Sequence, residues 1–225
     1  LHIFISNNFD DHRPACTGKP VTGYEAKVVG PDGTSLPRGE VGRLAVRGPT
    51  GCRYLRGARQ DEYVVDGWNI SGDAFWQDED GYFHFAARND DMIISSGYNI
   101  AGPEVEAALL ANEAVAECAV IGVTDQLKGQ MPVGFLCLNA NTTREHGEVV
   151  TEVVRLVREK IGPVAAFKLA VVVDRLPKTR SGKILRGTMV NIADGTAYKP
   201  PATIDDPAIL DEIKIALQTI GYAAY

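Results

Sequence analysis

The sequence predicts an α+β chain: a small, mostly antiparallel β unit, then a compact α+β domain with a short central sheet flanked by helices. Three observations predict it. Up to about residue 85, short alternating apolar and polar segments are separated by Gly, Pro and Asp turn signals. Beyond Arg88 the pattern changes, and stretches of helical spacing alternate with short continuous apolar runs. With 225 residues and 45% apolar content, the chain can bury one large core or two modest ones.

Each element follows from its residues. Residues 24–29 read as a strand, Gly30-Pro31-Asp32-Gly33 as a turn and residues 42–47 as a second strand. Residues 76–85 read as a hairpin with an acidic turn, Asp78-Glu79-Asp80-Gly81. The boundary falls at Asn89-Asp90-Asp91. Residues 102–110 then form a helix, with Pro103 at a plausible first position, where a missing N–H costs nothing. Glu104 and Glu106 fall in its first turn, where negative charge favours the dipole, and are read as helix-start carboxylates with no catalytic part. Residues 114–123 and 133–138 read as buried strands and 169–173 as a third. Between residues 145 and 161, Val149, Val150, Val153, Val154, Val157 and Ile161 recur at helical spacing with charges on the other face. Residues 185–192 form a short helix and 206–220 a terminal amphipathic one. No internal repeat is evident.

The formal net charge is -6 and the isoelectric point about 5.3, with no long basic stripe, which argues against nucleic acid as a partner. Cys16, Cys52, Cys118 and Cys137 lack C-x-x-C spacing, and His2, His12, His84 and His146 never fall in a metal-binding pattern. A reduced, cytoplasmic protein without a protein-held metal is expected. The opening run Leu1-His2-Ile3-Phe4-Ile5 is too short for a membrane span and lacks the basic flank of a signal peptide. Because it begins at Leu1, it is expected to be a cut edge.

Against this acidic background, Lys178, Arg180, Lys183 and Arg186 gather in a loop of Pro, Gly, Ser and Thr. So local a cluster suits an anion, phosphate above all. Lys183 follows Ser181-Gly182, which leaves the backbone free to bend and carries the ammonium as a mobile point charge; the planar guanidinium of Arg would not match it. From the residues alone, a solvated basic loop is the alternative.

The loop resembles the last core motif of the adenylate-forming superfamily, which includes acyl- and aryl-CoA synthetases, luciferases and peptide-synthetase adenylation domains. Residues 39–48, with Gly39, Glu40 and Gly48, are similar to an earlier motif of that family. Trp68-Asn69-Ile70-Ser71-Gly72-Asp73 is similar to its Thr-Gly-Asp motif, with Ser71 for Thr, and residues 87–106 resemble its hinge motif. Four motifs in order cover essentially the whole chain. The resemblance implies the C-terminal part of a synthetase: residues 1–87 as the β-rich end of a large nucleotide-binding domain, 88–91 as a hinge, and 92–225 as a mobile lid. The rest of that large N-terminal domain would be the partner, and the fragment alone is expected to be inactive.

Residue roles come with the resemblance. Lys183 would contact the carboxylate and α-phosphate during acyl-adenylate formation. Asp73, projected beyond a strand end by Ser71-Gly72, would accept hydrogen bonds from both ribose hydroxyls, as two carboxylate oxygens can; by its residues alone it also reads as a turn-forming Asp. Arg88 would be the second ribose contact, and is otherwise a surface Arg in a linker. Asp90 would be the hinge. Gly97, in Ser95-Ser96-Gly97-Tyr98, would let the pantetheine arm of CoA approach closely, and taken singly is a turn Gly.

The implied reaction converts a small carboxylic acid and ATP to acyl-adenylate and pyrophosphate, after which CoA displaces AMP. ATP, coenzyme A and Mg2+ carried on the nucleotide phosphates are the expected ligands. An adenylation domain loading a carrier protein, or a non-catalytic nucleotide- or CoA-binding module, are the alternatives. Ala87 and Asn99 depart from the family pattern, standing where Gly and, in acetyl-CoA synthetases, Arg are usual. The Gly97-Tyr98-Asn99-Ile100 stretch resembles benzoate- and aminobenzoate-type ligases, whereas residues 161–167 and 202–207 resemble propionyl- and acetyl-CoA synthetases.

Overall fold

The computed structural model describes residues 3–51, 63–88 and 91–223. The chain divides into two compact units, Leu1–Asp90 and Asp91–Tyr225. The first opens with a two-stranded ribbon, β1 (Ile5–Ser6) and β2 (Lys19–Pro20). A five-stranded sheet follows: β3 (Glu25–Val29), β4 (Gly42–Arg47), β5 (Val64–Val65), β6 (Trp68–Gln77) and β7 (Phe83–Arg88), all pairs antiparallel.

Alternation along β4 sorts its side chains between two faces. Leu44 and Val46 join Ile5, Val28, Phe75 and Phe83 in one core, and Ala45 joins Val29 and Ile70 in another. The acidic turn closes as read: the Asp78 carboxylate accepts the backbone N–H of Tyr82 at 2.8 Å and of Asp80 at 3.0 Å. One reading is corrected here. Residues 71–73 do not form a turn at a strand end but lie inside β6. Arg43 pairs with Ala74 and Ala45 with Ile70, so residues 71–73 stand opposite Leu44 alone. A bulge, not a turn, therefore presents Asp73.

The second unit holds β8 (Met92–Ser95), β9 (Tyr98–Ala101), β10 (Val115–Asp125), β11 (Gly129–Leu138) and β12 (Leu169–Val172) in one sheet. Pairings are antiparallel except β11 with β12. Its helices are α1 (Gly102–Leu109), α2 (His146–Lys160), α3 (Arg186–Ala193) and α4 (Ile209–Gln218). Cys118, Val120, Leu136 and Ala170 pack with Val105 and Leu109 of α1 and Val149, Val153 and Val157 of α2. Ala119, Ile121, Phe135 and Val171 pack with Met189 and Ile192 of α3 and Ile213 and Leu217 of α4. Neighbouring residues of β10 thus enter different cores, one per sheet face. With both faces covered, these strands are continuous apolar runs rather than alternating ones. Each fully buried Val, Leu or Ile contributes about 1.5–3 kcal/mol.

The architecture is the expected α+β, with a sheet flanked by helices. The β8–β9 hairpin is an addition that the sequence reading lacked. Its two-residue turn puts Ser96 at φ 51° and Gly97 at φ 83°, the paired left-handed geometry that suits short hairpins.

Candidate functional site

In the first unit, Asp73 of β6 and Arg88 of β7 are registered partners, with Arg88 Nε 3.7 Å from Asp73 Oδ1. The bulge orients the acid. Ser71 Oγ accepts the Asp73 N–H at 3.2 Å, fixing the backbone beneath the carboxylate. Both side chains remain substantially exposed, at 41% for Asp73 and 55% for Arg88. A carboxylate and a guanidinium side by side offer acceptors and donors to one polar ligand.

In the second unit, Lys183 lies on the loop between β12 and α3. Lys178 bridges Ile184 across it; Thr179 donates its N–H to the Lys183 carbonyl at 2.8 Å, and Gly182 to that of Thr179 at 2.8 Å. The Lys183 N–H is in turn donated to Thr179 Oγ1 at 3.1 Å. Gly182, at φ 83°, supplies the left-handed corner that an L side chain would strain. A further strap holds the loop: the Arg180 N–H donates to the Thr203 carbonyl, and the Asp205 N–H to that of Lys178, both at 2.9 Å. The turn is therefore fixed, and the mobility expected of Lys183 is confined to its side chain.

The four cations of this loop divide into two kinds. Lys178 Nζ is 2.5 Å from Glu117 Oε1, and Arg186 makes a forked pair with Glu106, Nη2 lying 2.8 Å from Oε1 and 2.9 Å from Oε2. Arg180 and Lys183 are exposed and make no ion pair among the described residues. Glu106 also accepts the Val120 N–H at 2.8 Å. The reading of Glu106 as a helix-start charge is thus incomplete, because its side chain points to β10 and α3. Glu104, by contrast, stays in the first turn of α1.

Gly97 sits at the tip of the β8–β9 hairpin with space around it: a Cβ added there meets nothing within 4 Å. Asp90 lies outside the described residues. Burial pushes the Cys118 thiol up to about 12 and the Cys137 thiol up to about 11, which leaves neither as a ready nucleophile. Among the described residues, no three of His, Cys, Asp and Glu gather as metal ligands, and no helix is long and apolar enough to cross a membrane.

Comparison with known proteins gives a consistent result. Residues 104–183 match the family described as AMP-binding enzyme C-terminal domain. An uncharacterised protein of Pseudomonas aeruginosa is 41% identical over 216 residues, covering 92% of this chain and 34% of its own length. The mitochondrial acyl-CoA synthetase short-chain family member B of Dictyostelium discoideum is 38% identical over 212 residues, covering 90% and 30%. The crystal structure of the anthranilate CoA ligase AuaEII in complex with anthranoyl-AMP superposes with a TM-score of 0.70 at 34% identity, covering 86% of this chain and 38% of that one. The chain thus spans between 30% and 38% of the length of these relatives.

Proposed function

We propose that this chain, which belongs to the adenylate-forming enzymes, is the C-terminal part of an AMP-forming acyl-CoA synthetase. The observation that carries the reading is the charge arrangement of the 178–186 loop. Glu117 and Glu106 neutralise two of its cations, while Lys183 is left exposed on a hydrogen-bonded turn. A fixed ammonium of that kind suits an anion that forms during reaction, where preorganised charge acts most strongly.

In the proposed reaction a carboxylate oxygen attacks the α-phosphorus of ATP and pyrophosphate leaves. Lys183 stabilises the charge building between carboxylate and α-phosphate. The CoA sulfur then attacks the acyl carbon and AMP leaves. Asp73 and Arg88 hold the ribose hydroxyls, and Gly97 lets the pantetheine arm pass. Mg2+ would be carried on the nucleotide phosphates, where it would neutralise part of their charge.

Residues 1–87 are proposed to complete a larger nucleotide-binding domain, 88–91 to form the hinge around Asp90, and 92–225 to act as the mobile lid. The 225 residues alone are proposed not to turn over, because most of the length of the relatives is not represented in them.

The Dictyostelium relative is named for short-chain acids and AuaEII for an aromatic one. The test is therefore an assay of the intact enzyme against a panel of both kinds, following pyrophosphate release and CoA-thioester formation. Acid-dependent pyrophosphate release followed by thioester formation is expected. Pyrophosphate release without a thioester would favour carrier-protein loading, and no release with any acid would overturn the proposal.

A further inference from the structure

Arg186, paired with Glu106, lies only three residues beyond Lys183, yet the pair belongs to no part of the reaction as described. Arg186 is the first residue of α3, a helix whose start has no side-chain cap. Between Lys183 and Arg186, Ile184 bridges Lys178 and the Leu185 N–H donates to the Pro177 carbonyl at 2.9 Å, so the loop is pinched at its base. Wherever the guanidinium is held, the exit of the Lys183 turn is held with it. The holder is unusually well fixed. Glu106 takes two Arg186 nitrogens and the Val120 N–H, and its own carbonyl accepts the Cys118 thiol at 3.5 Å.

Burial separates this pair from the other ion pair of the same loop. Side-chain exposure is 13% for Glu106 and 21% for Arg186, against 34% and 37% for Lys178 and Glu117. A pair this desolvated gains little net stability over an apolar substitute, whereas its forked geometry fixes orientation. Its structural yield is register between α1, β10 and the first turn of α3.

We propose that Glu106, acting through Arg186, is a positioning residue that holds the Lys183 turn in place for adenylate formation. This rests on the proposed function above. The clamp acts on the first half-reaction only, because Lys183 serves that step and no other. It also neutralises Arg186, so that the loop presents Arg180 and Lys183 to an anion rather than a diffuse patch.

The test uses the intact enzyme and two variants. Glu106→Gln keeps an acceptor for the Val120 N–H and removes the charge; Arg186→Lys keeps the charge and removes the fork. For both, adenylation kcat should fall about ten- to a hundredfold, the usual consequence of misplacing a group by about 1 Å, with KM for ATP and acid little changed. Thioester formation from supplied acyl-adenylate should be retained. Combined with Lys183→Ala, neither variant should lose more than Lys183→Ala alone, since residues acting as a unit are not additive.

Hydrogen exchange supplies a readout independent of turnover: the amides of Thr179 and Gly182 should exchange faster in Glu106→Gln while those of β10 and β11 do not change. Unchanged exchange in the loop of an active enzyme would overturn the positioning role. So would equal losses in both half-reactions, or losses additive with Lys183→Ala. If no acid supports pyrophosphate release but loop exchange still rises, the clamp stands and the proposed reaction falls.

Discussion

Asp73 and Arg88 face each other at one rung of the β6–β7 ladder, with Nε and Oδ1 3.7 Å apart and both side chains open to solvent. At that distance and exposure the pair adds little to stability. Asp73 retains acceptor capacity that a single loose guanidinium contact does not saturate, as the proposed ribose contact requires. The β6 bulge opposite Leu44 makes this possible, by releasing residues 71–73 from the β4 ladder while Asp73 keeps its register with Arg88.

Replacing the acid should therefore affect nucleotide affinity first. A hydrogen bond to a charged group is worth about 1.5–3 kcal/mol, so Asp73→Ala in the intact enzyme should raise KM for ATP roughly ten- to a hundredfold. Initial rates against ATP at saturating acid decide it. A fall in kcat at unchanged KM would contradict a ribose contact.

Gly97 gives a test in which packing is not the confounding variable. A Cβ there meets nothing within 4 Å, and the left-handed backbone costs about 1–2 kcal/mol. Gly97→Leu should slow thioester formation from acyl-adenylate far more than it slows adenylation. If both half-reactions proceed at the original rate, no ligand passes this hairpin tip.

The first unit should show an acid-sensitive step centred on Asp78. Its carboxylate accepts from His84 at 3.0 Å, from the Tyr82 backbone and from Arg13 at 2.6 Å, and is held at about 2. Because this value lies below the ordinary carboxylate one, the stabilisation is full above about pH 4 and is lost as pH falls toward 2. Asp78→Asn should therefore be less stable at neutral pH, with the difference shrinking across that window in thermal melts. A difference independent of pH would assign the effect to packing.

At Asp90, the test is asymmetry. Proline fixes φ near about −65° and restricts the residue before it, so Asp90→Pro should lock the junction in one orientation. Adenylation is expected to persist and thiolation to fail in pre-steady-state measurements. Equal loss in both would mean misfolding, and loss in neither would remove Asp90 as the pivot.

How much of this was legible in the sequence depends on how local the cause is. Strands β10 and β11 and helix α2 declare themselves, because burial of both sheet faces and of one helix stripe writes long, regular patterns. The β8–β9 hairpin does not. Its strands have four residues each, too few to establish a period, and only the Ser96-Gly97 pair hinted at a tight turn. Ser71-Gly72-Asp73 has the composition of a turn, and only the partner strand reveals it as a bulge.

The site divides in the same way. The cation cluster at 178–186 is visible as composition, but which cations remain free is decided by Glu117 and Glu106, and Arg186 is 80 positions from its partner. Glu106 was also camouflaged, since a carboxylate behind Pro103 in a first turn already has a sufficient local explanation.

The most direct test of the whole account is Lys183→Ala in the intact enzyme, with the two half-reactions measured separately. Loss of one preorganised charge contact should cut acyl-adenylate formation by about 10²–10³, while thioester formation from supplied acyl-adenylate continues at close to its original rate. An equal fall in both half-reactions, or an undiminished first one, would contradict the assignment of Lys183 to adenylation.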